Sequence, residues 1–362
     1  MRQSHLRSVI LGTGSELPAR VVTNAALERL VDTSDEWITS RTGIKERRVL
    51  EEGKGNADMA HRAAVRALHD AGVDPKDLDA IIMGTVTADY PFPSSACVLE
   101  DMLGARKAFS FDVNAACSGF LNALAVADSM IRTGMIRHAL VVGSDALSRL
   151  LNWKDRTTCI LFGDGAGAAV LGAVNDGHRG VLSAKLRTDG SYVKTLYVPA
   201  GGSLKPATAE TVKKNEHTIF MNGKEVFKIA VRSMEEISRE ALEEADIDVE
   251  QVSLVIPHQA NLRIITALAE RQGSDVESHG ESRPLRQYLG GFRADRARRG
   301  AARGPHPPRR HRAAQRLRRG LRVGRGGCKV LGNNPSQQLS LQRKFYGKIH
   351  RRIRSPVRHA SL

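Results

Sequence analysis

Ala67-Leu68-His69-Asp70-Ala71-Gly72-Val73-Asp74, followed by Leu78 and Ile81-Ile82, aligns without gaps on Ala241-Leu242-Glu243-Glu244-Ala245-Asp246-Ile247-Asp248, followed by Val252 and Val255-Ile256. The offset is 174 residues throughout. Each copy reads as the end of an amphipathic helix, a turn initiated around Asp74 or Asp248, and a buried strand. The simplest inference is two copies of one α/β unit, the alternative being a chance likeness of two helix-turn-strand units.

Working outward, the first 273 residues alternate apolar runs with helical patterns: a strand at Ser8 to Leu11, a helix Met59 to Ala71, a strand Ala80 to Thr85, a helix Ser118 to Arg132 and a strand Ala139 to Val142. This alternation predicts a layered α/β fold whose natural unit is a mixed five-strand sheet buried on both faces. At 362 residues and 41% hydrophobic, the chain is long enough for one large or two smaller domains. No run of apolar residues approaches a membrane span and no cleavage site follows the N-terminus, so a cytoplasmic protein is expected. Four cysteines, at 97, 117, 159 and 328, lack CxxC spacing and suggest neither a zinc site nor a disulfide framework.

The net charge of +16 is unevenly placed: Ser274 to Leu362 holds 23 Lys+Arg against 4 Asp+Glu, leaving 32 basic and 35 acidic residues before it. Arginine clusters and Pro305 to Pro308, with almost no apolar periodicity, predict a tail that buries too little surface to order itself. The expected domains are therefore 1–175, 176–273 and a basic tail, 274–362.

Cys117 is the strongest candidate for chemistry. In Val113-Asn114-Ala115-Ala116-Cys117-Ser118-Gly119-Phe120 a strand ends in small residues and an apolar helix begins near Ser118, so unpaired N–H groups and the helix dipole are expected to favour the nucleophilic thiolate. The alternative is an inert buried cysteine. Cys97 and Cys159 read as core thiols. His258 follows the apolar run Leu254-Val255-Ile256-Pro257, at the carboxyl end of a predicted strand, where open sheets carry ligands; it reads equally as a loop histidine. His5, His61, His69 and His217 read as solvated. Gly12-Thr13-Gly14 and Gly163-Asp164-Gly165-Ala166-Gly167 lack the partners of a phosphate loop and read as structural.

The chain resembles the β-ketoacyl-acyl carrier protein synthase III family of the thiolase-like superfamily over residues 1 to about 273. The matching strings are Thr33-Ser34-Asp35-Glu36-Trp37-Ile38 with Arg41-Thr42-Gly43-Ile44, Asn114 to Phe120, Phe162 to Leu171, Asn222-Gly223-Lys224-Glu225-Val226-Phe227-Lys228, and Pro257-His258-Gln259-Ala260-Asn261-Leu262-Arg263. The resemblance implies a duplicated α/β fold in αβαβα layers and an acyltransferase that starts fatty acid synthesis. Cys117 would take an acetyl or other short acyl group from acyl-CoA, a substrate rather than a cofactor. Malonyl-acyl carrier protein would then lose CO₂ and attack that group, with His258 stabilising the enolate. Trp37 would stack on the CoA adenine with Arg156 on its other side, Arg41 would lie near the phosphates, and Gly223 would belong to the CoA site. Phe92 would close the acyl pocket of a neighbouring subunit in a homodimer. Gln259, Ala260, Asn261, Leu262 and Arg263 would lie at the carrier-protein surface. No metal is implied.

The family's Gly-Asn-Thr-Ser motif and its glycine-rich final strand are missing. Yet Arg286 to Gly291 written CGG CAA TAC CTC GGC GGC, read one nucleotide later, gives Gly-Asn-Thr-Ser-Ala. Arg312 to Gly326 can be written so that the same shift gives Val-Leu-Leu-Ser-Ala-Phe-Gly-Ala-Gly-Phe-Ala-Trp-Gly, and Leu331-Gly332 as CTA GGN supplies a stop. A frameshift near Ser274 to Glu277 is the expectation, and with it a poorly folded second half and weak condensation. Three rivals remain: a starter-unit synthase of other acyl specificity, a binder of nucleic acid or anionic surfaces through the arginine-rich tail, and a pseudoenzyme that keeps CoA binding. The tail's lack of aromatic interleaving argues against the second.

Overall fold

Strand β1 (Leu6–Glu16) begins the chain in the computed structural model, which describes residues 6–175 and 179–271. A short antiparallel ladder of β2 (Arg20–Thr23) and β3 (Glu46–Val49) brackets helices α1 (Asn24–Leu27) and α2 (Asp35–Thr42). The Ser34 hydroxyl caps α2 by accepting from the Trp37 N–H at 3.0 Å, and Gly43 closes it in the left-handed conformation. The chain then runs through α3 (Asn56–Ala71), β4 (Ala80–Gly84), α4 (Ser95–Leu103), β5 (Phe109–Val113), α5 (Gly119–Arg132), β6 (His138–Ala146) and β7 (Asp164–Asn175).

These strands form the expected mixed five-stranded sheet, in the order β1-β7-β6-β4-β5. Helical crossovers make β4 parallel to β5 and β6, while β7 is antiparallel to β1 and β6. Helix α3 lays Met59, Ala60, Ala63, Ala64 and Ala67 on one face of the sheet, against Ile81, Met83, Leu140 and Val142. Helix α5 lays Ala123, Ala127 and Ile131 on the other, against Ala80, Ile82 and Val141. Small residues on both helices allow close approach. A Cβ on Gly12 or Gly14 would strike the α3 backbone, so the first glycine string is structural. The second lies at the start of and inside β7, and Asp164 is consumed by Leu50 N–H, Ser148 N–H and the Ser148 hydroxyl.

Gly84 and Gly119 meet where β4 passes under α5, and a Cβ on Gly84 would fall on the Gly119 carbonyl. Gly84→Ala is therefore expected to destabilise the fold by about 1–3 kcal/mol and to displace the start of α5. Urea unfolding measures the cost; a midpoint equal to the parent's would contradict the close approach.

Beyond β7 come a two-residue pairing of β8 (Leu196–Tyr197) with β9 (Phe220–Met221), α6 (Ala209–Lys213), α7 (Gly223–Ala245) and α8 (Leu262–Arg271). The repeat is visible here. Helices α3 and α7 end at Ala71 and Ala245, each followed by a left-handed residue, Gly72 or Asp246, and by a single 3₁₀ turn, Pro75–Asp77 or Val249–Gln251, opened by Asp74 or Asp248. The correspondence stops at the strand: β4 is paired on both sides, whereas Val252 to Pro257 form no strand. An isolated strand leaves its amides without partners, and no neighbour pairs with this one among the described residues. The expected strand before His258 is thus corrected to irregular chain. No described helix is long and apolar enough to cross a membrane. The expectations for the tail, 274–362, lie outside the described residues, as do His5 and Cys328.

Candidate active site

The carboxyl ends of β4, β5 and β6 deliver three segments to one place: Thr85 to Thr87, Asn114 to Ser118, and Asp145. Between β5 and α5 the chain turns sharply, with Ala116 at φ +46°, a left-handed conformation that costs a residue with a Cβ about 1 kcal/mol or more. The turn sets Cys117 in a 3₁₀ turn, Ala116–Ser118, just before the first residue of α5. The Gly84–Gly119 approach and the seat of Phe120 against Gly143 fix the helix start on the sheet.

Beneath Cys117 lies a polar network that the sequence reading missed. The Asp145 carboxylate accepts from Val86 N–H at 2.8 Å and from the hydroxyls of Thr85 and Thr87, each at 3.1 Å. Asn56 donates to Thr85 Oγ1 at 2.8 Å and to the Ser144 carbonyl at 3.0 Å, and the Ser144 hydroxyl donates to Asn56 Oδ1 at 2.6 Å. The available signal was positional: Asp145 follows closely on the predicted strand Ala139 to Val142, at the carboxyl end where open sheets carry ligands.

The Cys117 thiol is exposed toward a cavity yet crowded by protein. Burial, and secondarily the Asp145 carboxylate, push it above the ordinary cysteine range, while a hydrogen bond from backbone acts in the opposite direction. The expectation of a favoured thiolate at a helix start is corrected accordingly: desolvation, with a like charge second, raises the thiol. Burial likewise pushes His258 below its ordinary 6.5, so the imidazole is neutral at neutral pH. For both groups the shift reflects surrounding protein rather than closure from solvent, because His258 too is exposed at the cavity surface.

One cavity, about 1700 Å³, brings together Cys117, His258, Trp37, Arg41, Gly223, Gln259, Ala260, Asn261 and Arg263. Arg156 lies outside its lining, but its guanidinium sits 5.1 Å from the Trp37 ring, with that of Arg41 at 4.7 Å. Arg156 also donates to the Asp32 carbonyl at 2.7 Å and pairs with its carboxylate at 3.2 Å, which holds the arginine in place. Half-buried Trp37 packs on the cluster of Leu27, Ile38, Cys159 and Ile160. Gly223 opens α7, where Asn222 Oδ1 accepts from Glu225 N–H at 3.4 Å. Leu262 opens α8 away from the cavity lining, and Arg263 lies 5.8 Å from the Phe227 ring. Phe92 is not brought to the site: it is 86% exposed, in a loop beside the 57%-exposed Tyr90.

Two lesser expectations are corrected. Cys97 is exposed, because it occupies the solvent side of α4 between buried Ala96 and Leu99; Cys159 is buried as expected. His61 and His217 are half-buried rather than solvated, and the buried Nδ1 of His217 has no partner among the described residues.

Residues 111–190 match the family model described as 3-Oxoacyl-[acyl-carrier-protein (ACP)] synthase III. The chain is 54% identical over 262 residues to a beta-ketoacyl-[acyl-carrier-protein] synthase III of Caldanaerobacter subterraneus, covering 72% of this chain and 79% of the relative. A relative of the same name from Desulfitobacterium hafniense is 52% identical over 267 residues, covering 74% and 80%. Among solved structures, the 3-oxoacyl-[acyl-carrier-protein] synthase III of Aquifex aeolicus superposes with TM-score 0.67 at 47% identity, covering 74% of this chain and 81% of the other. The priming beta-ketosynthase of the R1128 polyketide pathway superposes with TM-score 0.69 at 36% identity, covering 79% and 84%.

Proposed function

The chain belongs to the β-ketoacyl-[acyl-carrier-protein] synthase III family, thiolase-like condensing acyltransferases that initiate fatty acid synthesis, and we propose that Cys117 is the residue on which its acyl group is carried. The observation that carries this reading is the shared cavity: an accessible thiol on a sharp strand-to-helix turn, facing the same space as His258 and the arginine-flanked Trp37.

In the proposed sequence the Cys117 thiolate attacks the thioester carbon of a short acyl-CoA. The C–S bond to CoA breaks, CoA leaves as a thiolate that takes up a proton, and the acyl group stays as a thioester on Cys117. Malonyl-acyl carrier protein then releases CO₂, and the electron pair of the broken C–C bond forms an enolate. A neutral His258 donates a hydrogen bond to its developing oxygen charge. Attack on the acyl-cysteine carbonyl forms the new C–C bond, expels the Cys117 thiolate and yields a 3-oxoacyl-acyl carrier protein. No cofactor enters this sequence.

CoA is assigned to the mouth of the cavity, its adenine against Trp37 between Arg41 and Arg156, with Gly223 on the opposite rim. Trp37→Ala is expected to raise the apparent KM for acyl-CoA by about 10-fold while leaving the rate from the saturated state nearly unchanged. An unchanged KM would remove Trp37 from the site. The experiment that tests the reading as a whole is intact-mass analysis after mixing with acetyl-CoA, expected to place one acetyl group on the peptide containing Cys117. Gln259 to Arg263 are assigned to the carrier-protein surface, where Arg263 offers positive charge to an acidic partner. A cytoplasmic homodimer is part of the reading; the exposed Phe92 and Tyr90 support it as apolar side chains that a second copy would cover.

A starter-unit synthase of other acyl specificity is the second reading, favoured by the likeness to a priming ketosynthase. Competition among acetyl-, branched- and longer acyl-CoA for Cys117 separates the two. Binding of nucleic acid through the tail would appear as a steeply salt-dependent association lost on truncation at Gly273.

A further inference from the structure

Helix α7 is amphipathic over 23 residues, yet Val231 alone among them is buried. Its apolar side chains Phe227, Met234 and Ile237 line the same cavity as Val255, Ile256 and Leu121. Ile256 is 61% exposed and Leu121 59%. At about 1700 Å³ the space exceeds the roughly 300–1,000 Å³ of a small-molecule pocket. Its walls have the character of a core only partly covered among the described residues: an amphipathic helix face that α8 packs on but leaves half-buried, and the segment Val252 to Pro257, which pairs with no described strand and sends Val255 and Ile256 into the same cavity.

The length of the relatives and the genetic code indicate what belongs there. The 262 residues matched in the Caldanaerobacter relative are 79% of it, so that protein is about 332 residues long and roughly a fifth of it has no counterpart here. Every arginine codon, CGN or AGR, read one nucleotide later begins with G and encodes only Gly, Ala, Val, Asp or Glu. The fifteen arginines from Arg283 to Arg325 therefore all become small or acidic residues under this single shift. Arg312 to Gly326 become spellable as an uncharged run of aliphatic, aromatic and glycine residues, the composition of a buried strand. The shifted frame closes at Leu331-Gly332 when these are spelled CTA GGN, within a few residues of the relative's length.

We propose that the apolar cavity is the seat of the segment that codons 278 to 331 specify when read one nucleotide later, and that the basic tail is the product of a one-nucleotide frame change near Ser274 to Glu277. The restored segment packs on α7 and pairs with Val252 to Pro257, which then become a strand like their counterpart β4. The proposal takes only a length from the family assignment and nothing from the chemistry at Cys117.

Two measurements test it. Sequencing the coding DNA is expected to show a shifted frame open from codon 278 to a stop near codon 331; a stop interrupting that frame would overturn the proposal. The full chain and a chain whose gene lacks one nucleotide in codons 274 to 277 are then compared by hydrogen exchange and by binding of an apolar dye. In the restored chain the α7 amides are expected to exchange roughly 100-fold more slowly, with dye binding reduced. Equal exchange and equal dye binding would overturn it. Neither readout involves acyl transfer, so an inactive Cys117 would leave this result untouched.

Discussion

Replacing Cys117 by alanine is expected to abolish acyl transfer from acyl-CoA, a loss on the order of 10⁶-fold in the single-turnover rate, since no other described thiol lines the cavity to carry the covalent intermediate. The other described thiols do not share its setting: Cys97 lies on the solvent side of α4 and Cys159 is buried in the cluster beneath Trp37. The parent chain should also show a particular pH dependence. With the thiol held above the ordinary cysteine range, the thiolate fraction at neutral pH is smaller than in a free cysteine. Acylation and iodoacetamide alkylation should therefore keep rising with pH past the point where an unperturbed thiol levels off. Asp145→Asn keeps an oxygen for Thr85, Thr87 and Val86 but removes the like charge, so the rise should shift to lower pH. Retained acetylation in Cys117→Ala would end the assignment; a plateau in the normal cysteine range would end the account of its environment.

The reasons some features were legible in the sequence and others were not are physical. Helix α3 and strand β4 were readable because alternation and helical periodicity record which side chains meet a core, and these did. The turn after α7 was readable because Asp246 and Asp248 perform locally what Gly72 and Asp74 perform in the first copy. The segment at Val255-Ile256 has the same apolar pattern but forms no strand, because a ladder depends on residues distant in sequence and none of those described pairs with it. At the site, Cys117 was marked by small neighbours and a following helix, both local signals. Its ionisation departs from the expectation because tertiary packing buries the thiol and, secondarily, the sheet brings Asp145 near it, neither of which local spacing reveals. Trp37 was legible only through resemblance. Arg156 lies 119 positions away and meets the indole where its turn packs against helix α2.

His258→Ala is expected to separate the two half-reactions. Acylation of Cys117 should survive it, whereas decarboxylation of malonyl-acyl carrier protein and condensation should fall by roughly 10²–10³, the usual cost of losing one donor to a developing oxyanion. Burial lowers the imidazole below 6.5, so as pH falls through the neutral range it stays uncharged longer than a solvated histidine would. A charged imidazole could also donate, but carrying that charge into a crowded cavity is what burial opposes. The neutral ring supplies its donor without titrating at working pH, and the acid limb of the decarboxylation profile should accordingly lie below 6.5 and vanish in the alanine variant. The assay is CO₂ release from malonyl-acyl carrier protein in the frame-restored chain, with acetyl transfer followed separately by mass. Equal loss of both half-reactions would show that His258 positions Cys117 instead of facing the enolate, and the cavity would then hold one catalytic group rather than two.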